Sequence, residues 1–170
     1  QQGVEGAVIQ MVSHGLVSAA LFLCVGVLYD RLHTREIAAY GGVTTVMPTF
    51  AKLFLFFTMA SVALPGTSGF VGEFLVLLGT FKLSPALALL AGTGMVLGAT
   101  YALWLFRKVM FEEVVHDKVK TLNRINGREW FYLTALALLA LWLGIYPNSF
   151  LEPLHVSVNQ TLAPYLAQSG

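Results

Sequence analysis

Charge is scarce in this chain. Asp, Glu, Lys and Arg make up 11% of its 170 residues, under half of the roughly 25% usual in soluble domains. The net charge is +1, so nothing suggests nucleic acid or an acidic partner. Cysteine occurs once, at Cys24. That excludes a disulfide within the chain, and an iron–sulfur cluster or structural zinc held by its own cysteines alone. No G-x-G-x-x-G follows a strand and no P-loop is present, so the chain has no motif for nicotinamide, flavin or ATP. Met is absent from position 1, and "QQGVEGAVIQ" runs into an apolar helix without the basic start and short apolar run of a cleavable signal. The chain is therefore expected to be a fragment, or one piece of a split polypeptide, whose earlier helices lie elsewhere.

What is present is apolar. Hydrophobic residues make up 56% and the mean hydropathy is +0.72, more apolar side chain than a soluble fold of this length can hide. Four spans approach the roughly 20 residues needed to cross a bilayer. They are Gly6–Tyr29, Pro48–Phe81, Pro85–Phe106 and Trp130–Tyr146, the last closed by Pro147. The second is too long for one straight crossing and is broken near Pro65. None alternates with period two, so the expected fold is an all-α, polytopic membrane helix bundle with four transmembrane segments. Residues 1–149 form the transmembrane region and 150–170 a tail, either an interfacial helix or a segment packed on a neighbour. Arg31, Arg35 and Lys52 flank the first loop, and Arg107, Lys108, Lys118, Lys120, Arg124 and Arg128 occupy the third. Four crossings put both basic loops on one face, the cytoplasmic or matrix side. "ING" at 125–127 reads as a turn into the fourth span. "DRLHTRE" at 30–36 reads as a solvated loop or a docking site for another subunit.

Glu73 is the sharpest chemical signal. It lies inside the second span among Val71, Phe74, Leu75 and Val76, where a carboxylate costs a few kcal/mol and must face protein or water. It marks either a proton path or a structural bond between helices. Just before it stands "PGTSG", Pro65, Gly66, Thr67, Ser68 and Gly69. Proline removes a backbone donor and the glycines widen the backbone choices, so an unwound segment is expected rather than a simple kink. Thr67 or Ser68 is expected to cap a half-helix beginning near Phe70, with Glu73 in about its first turn. There desolvation favours the neutral acid and the helix dipole favours the anion. His14, inside the first span, either relays protons or holds a helix–helix hydrogen bond. A metal site has little support: His33 and His116 fall in loops and His155 in the tail. Lys52, Arg107 and Lys108 read as interfacial anchors. Ser18, Ser61, Thr93, Thr100 and Tyr101 can hold water in a bundle or simply pack helices.

Two stretches, "MVSHGLVSAALFLCVGVLYDRLHTREIAAYGG" and "ASVALPGTSGFVGEFLVLLGTF", carry a family resemblance that continues through "GATYALWLFRKVMF" and "NGREWFYL". The chain resembles the C-terminal third of the chain 4, or subunit M, branch of the antiporter-like proton-pumping subunits of respiratory complex I (NADH:quinone oxidoreductase). The resemblance implies helices eleven to fourteen of a fourteen-helix fold. It matches Glu73 to the acidic residue on broken helix twelve, at the outlet of the proton path, and His14 to the histidine on helix eleven. A glutamate at this place, where sibling subunits look to have lysine, favours chain 4. The implied partners are the other membrane-arm subunits, the lipid bilayer and the missing N-terminal helices. FMN, iron–sulfur clusters and quinone would sit on partner subunits, with no cofactor on this chain. The implied site is a bacterial cytoplasmic or mitochondrial inner membrane. The family's glutamate on helix five and lysines on helices seven and eight have no counterpart here, so this piece alone is not expected to pump. A related cation/proton antiporter or membrane-bound hydrogenase subunit shares the helix-twelve pattern. A non-catalytic membrane scaffold is the alternative of another class.

Overall fold

The computed structural model of the protein describes residues 1–114 and 117–166. Helices α1 (Gln2–Leu32), α2 (Val43–Val46), α3 (Pro48–Ser61), α4 (Ser68–Leu83), α5 (Pro85–Phe111), α6 (Asp117–Lys120), α7 (Gly127–Ile145) and α8 (Asn148–Leu166) follow in order, with a short 3-10 turn at Ile37–Ala39. Local sequence sets most of their ends. Prolines open α3 and α5, where a missing N–H costs nothing. Asn126 and Glu129 form a reciprocal capping box that starts α7, the turn at "ING". His33 closes α1 in the left-handed conformation, its N–H bonded to Tyr29 O.

Helices α1, α5 and α7, of 31, 27 and 19 residues, are long and apolar enough to cross a membrane. With 14 and 16 residues, α3 and α4 are each too short, and together they make the fourth crossing. The bundle is thus an all-α polytopic membrane fold whose second segment is broken. Each long helix overruns its apolar run: α1 includes Asp30 and Arg31, and α5 continues through Lys108 to Phe111. Hydropathy marks the length that meets lipid, whereas the backbone ladder carries on into the interface.

The two halves of the broken segment stack along α1. Against the N-terminal half of α1, α4 runs antiparallel, with Gly3 beside Gly79, Gly6 beside Leu75 and Ser13 beside Ser68. The approach is close: a Cβ on Gly79 would lie 2.8 Å from Gly3 Cα, and one on Gly6 2.6 Å from Leu75 Cβ. Small residues at such crossings gain packing where lipid gives no hydrophobic drive. At the basic end, Phe50, Phe54 and Phe57 of α3 pack with Cys24, Val27 and Leu28 of α1 and Phe106, Val109 and Met110 of α5. The Phe54 and Phe106 rings stand 5.6 Å apart. Thr44 of α2 donates to Met110 O at 2.8 Å, closing the loop over this core. Along α5, Leu89, Leu90, Val96 and Leu97 are exposed, an apolar face suited to lipid or to further helices. The tail helix α8 lies at the other end, with His155 Nδ1 2.9 Å from Glu5 Oε1 of α1.

Arg31 departs from the solvated loop expected of "DRLHTRE". Its guanidinium meets the Glu129 carboxylate at two points, 2.9 and 2.7 Å. It also donates to the carbonyls of Val27, Asn123 and Arg124. The two side chains are only 13% and 8% exposed. The planar fork of arginine fits this arrangement, and it fastens the end of α1 to the start of α7. Asp30 and Leu32 continue α1, and residues 33–36 lead off as a loop, with Arg35 lying over the Tyr29 ring at 5.1 Å. Removing one partner of a shielded pair strands the other. Arg31→Ala is therefore expected to cost about 3 kcal/mol in the assembled protein, read as a lowered thermal midpoint in detergent. Lys120→Ala, at the exposed Asp117 pair, should change it by less than about 1 kcal/mol.

Candidate functional site

The break between α3 and α4 is an ordered pair of turns. Leu64 N–H reaches back to Met59 O at 3.0 Å and Ala63 N–H to Ala60 O at 3.4 Å, the bonds of a Schellman ending. Ala63 takes the left-handed position, φ 57°, that glycine usually fills. A second turn follows over Leu64–Thr67, closed by Thr67 N–H to Leu64 O at 3.0 Å. Pro65 and Gly66 are its central residues, Gly66 at φ 90°, the positions that a type II turn gives to proline and glycine. Thus α3 ends before Pro65 is reached, and the proline shapes the turn that follows.

The expected cap does not form. The helix restarts at Ser68 rather than near Phe70, and Thr67, at the N-cap position, makes no side-chain cap bond. Its hydroxyl donates to Leu64 O at 2.7 Å, inside the turn. Ser68 instead accepts a 2.8 Å hydrogen bond from Ser13 of α1. Both residues are almost fully buried. Protein packs against the turn on two more sides, while Leu64 and Pro65 remain exposed. A Cβ on Gly69 would strike Ala60 O, and one on Gly144 of α7 would strike the backbone of Gly66 and Thr67. Non-helical backbone within a hydrophobic span is tolerated where protein packs against it. Because α4 begins at Ser68, Glu73 falls in its second turn. The helix dipole fades over that distance, so the dipole bears less on Glu73 than a first-turn position implies.

Glu73 is half-buried and faces α1, where Gln10 Nε2 donates to its Oε1 at 3.2 Å. Its other surroundings are a cavity of about 390 Å³ walled by Gln10, Ser61, Tyr101 and apolar residues of α4 and α5. A second cavity, of about 370 Å³, adjoins it and holds Ser13, His14 and Ser18. Gln10, Ser61, Val62 and Tyr101 line both. His14 sits on the open face of α1, its Nε2 3.2 Å from Ser18 Oγ. Glu73 and His14 are thus placed in neighbouring cavities, with Gln10 between them.

Gln10 is the residue that sequence reading passed over. The signal was there: Gln10, Ser13 and His14 stand at i, i+3 and i+4 in an apolar helix, one polar stripe on one face. Ser61 and Tyr101 line both cavities, and Ser18 lines the one that holds His14. Thr93 and Thr100 do not line either cavity, and their hydroxyls donate to Leu90 O and Val96 O of their own helix. Lys108 pairs with Glu112 at 2.6 Å, at the far end of α5. His33 ends α1 and His155 meets Glu5, while His116 lies outside the described residues. Among the described residues, no three His, Cys, Asp or Glu side chains converge as a metal site requires.

Helices broken within a hydrophobic span, with ionisable side chains close by, are found among membrane proteins that move ions. Family comparison gives that class a name. The family model described as "NADH:quinone oxidoreductase/Mrp antiporter, TM" matches residues 1–98, and the chain belongs to that family. NADH-quinone oxidoreductase subunit M of Rhodobacter capsulatus is 53% identical over 170 residues, covering 100% of this chain and 33% of that protein. NADH-ubiquinone oxidoreductase chain 4 of Chondrus crispus is 51% identical over 156 residues, 92% of this chain and 32% of its own length. A chain in the structure of respiratory complex I from Thermus thermophilus with bound NADH superposes with a TM-score of 0.83 at 38% identity. That match covers 90% of this chain and 32% of the other. The chain spans about a third of the length of the curated relatives it matches.

The Ser13–Ser68 bond pins the restart of α4 to α1. Ser13→Ala is expected to cost about 1 kcal/mol, the net worth of one hydrogen bond. Adding Ser68→Ala should cost little more, since the bond is already gone. A double-mutant cycle on thermal midpoints checks this, and fully additive losses would show the two hydroxyls to be uncoupled.

Proposed function

We propose that this chain is the C-terminal third of a proton-translocating membrane-arm subunit of NADH:quinone oxidoreductase, corresponding to helices eleven to fourteen of the fourteen-helix fold. The observation that carries the proposal is Glu73, a carboxylate inside the second hydrophobic span just past a helix break, on a cavity that adjoins the one holding His14. Family membership and the relatives' identities support it. Glu73 takes up and releases a proton, and His14 exchanges it through water held by Ser18, Ser61 and Tyr101. The helix break matters because water and polar side chains can enter where the backbone ladder is interrupted. Residues 1–149 form the transmembrane part of this path, and 150–170 a tail that lies along the membrane surface or on a neighbouring subunit.

The electron chemistry belongs to partners. FMN, iron–sulfur clusters and quinone are carried by other subunits, and this chain holds no cofactor. Its neighbours are the other membrane-arm subunits, the lipid bilayer and the ten preceding helices of the same fold, which supply the input half of the path. The membrane is the bacterial cytoplasmic or mitochondrial inner membrane. The family description also names the Mrp antiporters, so a cation/proton antiporter subunit is the second reading. Copurification decides between them, because flavin and iron–sulfur subunits accompany only the first.

Glu73→Gln keeps the shape of the side chain and removes the exchangeable proton. In the assembled complex, NADH-linked proton pumping into sealed vesicles is expected to fall roughly tenfold or more, as for loss of a proton-transfer group. Assembly, followed on native gels, should remain normal. Normal pumping in a normally assembled complex would remove Glu73 from the relay. Loss of assembly alone would make it a structural anchor and the chain a scaffold.

A further inference from the structure

Gln10 has a donor in use and an acceptor idle. Nε2 donates to Glu73 Oε1 at 3.2 Å, while Oε1 is buried and has no hydrogen-bond partner among the described residues. A buried polar oxygen left unpaired is uncommon and calls for a cause. Space for the amide is made by Gly72. A Cβ there would stand 2.5 Å from Gln10 Oε1 and 2.8 Å from Gln10 Cα. The glycine beside Glu73 therefore lets the Gln10 side chain lie flat against α4.

A carboxylate only accepts hydrogen bonds, whereas the protonated acid also needs an acceptor for its O–H. A group that donates only, or accepts only, suits one state and opposes the other. A carboxamide carries both atoms on one plane, and its terminal torsion is broad and roughly two-fold. We propose that Gln10 is a positioning residue that serves both protonation states of Glu73. Its Nε2–H donates to the carboxylate, and a half-turn of the amide brings Oε1 round to accept the O–H of the acid. Gln10 neither gains nor loses a proton. The proton reaches and leaves Glu73 through the cavities, and the amide keeps either state bonded so that neither is trapped. The inference rests on the relay role of Glu73 given above.

The test uses the complete complex. Gln10→Met keeps an unbranched side chain of similar length and removes both hydrogen-bonding atoms. In infrared difference spectra, the C=O band of protonated Glu73 is the band lost in Glu73→Gln. That band is expected to move to higher frequency in Gln10→Met. NADH-linked pumping should fall roughly fivefold, the factor one net hydrogen bond is worth. NADH oxidation by an artificial acceptor should not change. Gln10→Asn keeps the amide but shortens its reach, and it should move the band in the same direction, so it carries the test if Gln10→Met fails to assemble. An unmoved band in an assembled variant, with or without slower pumping, overturns the proposal and leaves Gln10 a packing residue. So do failure of both variants to assemble and the absence of any acid band lost in Glu73→Gln. Normal pumping in Glu73→Gln, by contrast, overturns the relay itself.

Discussion

How closely α1 and α4 approach governs the rest of the structure. Glycines at 6, 72 and 79 bring the two backbones together where a methyl group on one would strike the other, and Gly3 lies against Gly79. At that distance a short side chain can cross the gap. Ser13 reaches Ser68, and Gln10 reaches Glu73. With alanines in place of these glycines the helices would stand further apart, and Glu73 would lose its partner on α1. Packing and polar chemistry thus share one seam. Inside a membrane, where apolar side chains gain little by leaving lipid, such a seam is what holds helices in register.

The break follows from the same economy of space. Packing against the irregular segment brings three helices near it at once. Ser13 of α1, Ala60 of α3 and Gly144 of α7 all approach it. The Arg31–Glu129 clamp acts on the opposite end of this arrangement, fixing α7 to α1 on the basic side. One fastening is ionic and lies at the membrane surface. The other joins a hydrogen bond to close backbone packing inside the second hydrophobic span, where charge pairs are costly to desolvate.

The spans, the broken second segment and the basic face were legible because each is written in composition: apolar runs of bilayer length, a Pro-Gly cluster, and lysines and arginines sorted by loop. Glu73 and His14 stood out as ionisable groups in apolar surroundings. What the chain did not declare was pairing. Arg31 looked solvated because its partner lies 98 positions away. Thr67 looked like a cap, but a hydroxyl has several acceptors within reach, and the turn carbonyl of Leu64 won. Gln10 was overlooked because a neutral amide in a helix raises no alarm until its contacts are known. Ala63 gave no local sign at all, since nothing about alanine marks a left-handed residue.

That alanine has a consequence for how free the joint is. Glycine at the joint would have been the least strained choice, and also the loosest, with many backbone states open to it. Alanine has few, so at this position the chain accepts strain and gives up freedom, which Gly66 keeps in the next turn. Ala63 thereby fixes how α3 ends, ahead of the turn that leads into α4. A constrained ending of α3 thus stands beside a freer turn at Gly66, just ahead of the helix that carries Glu73.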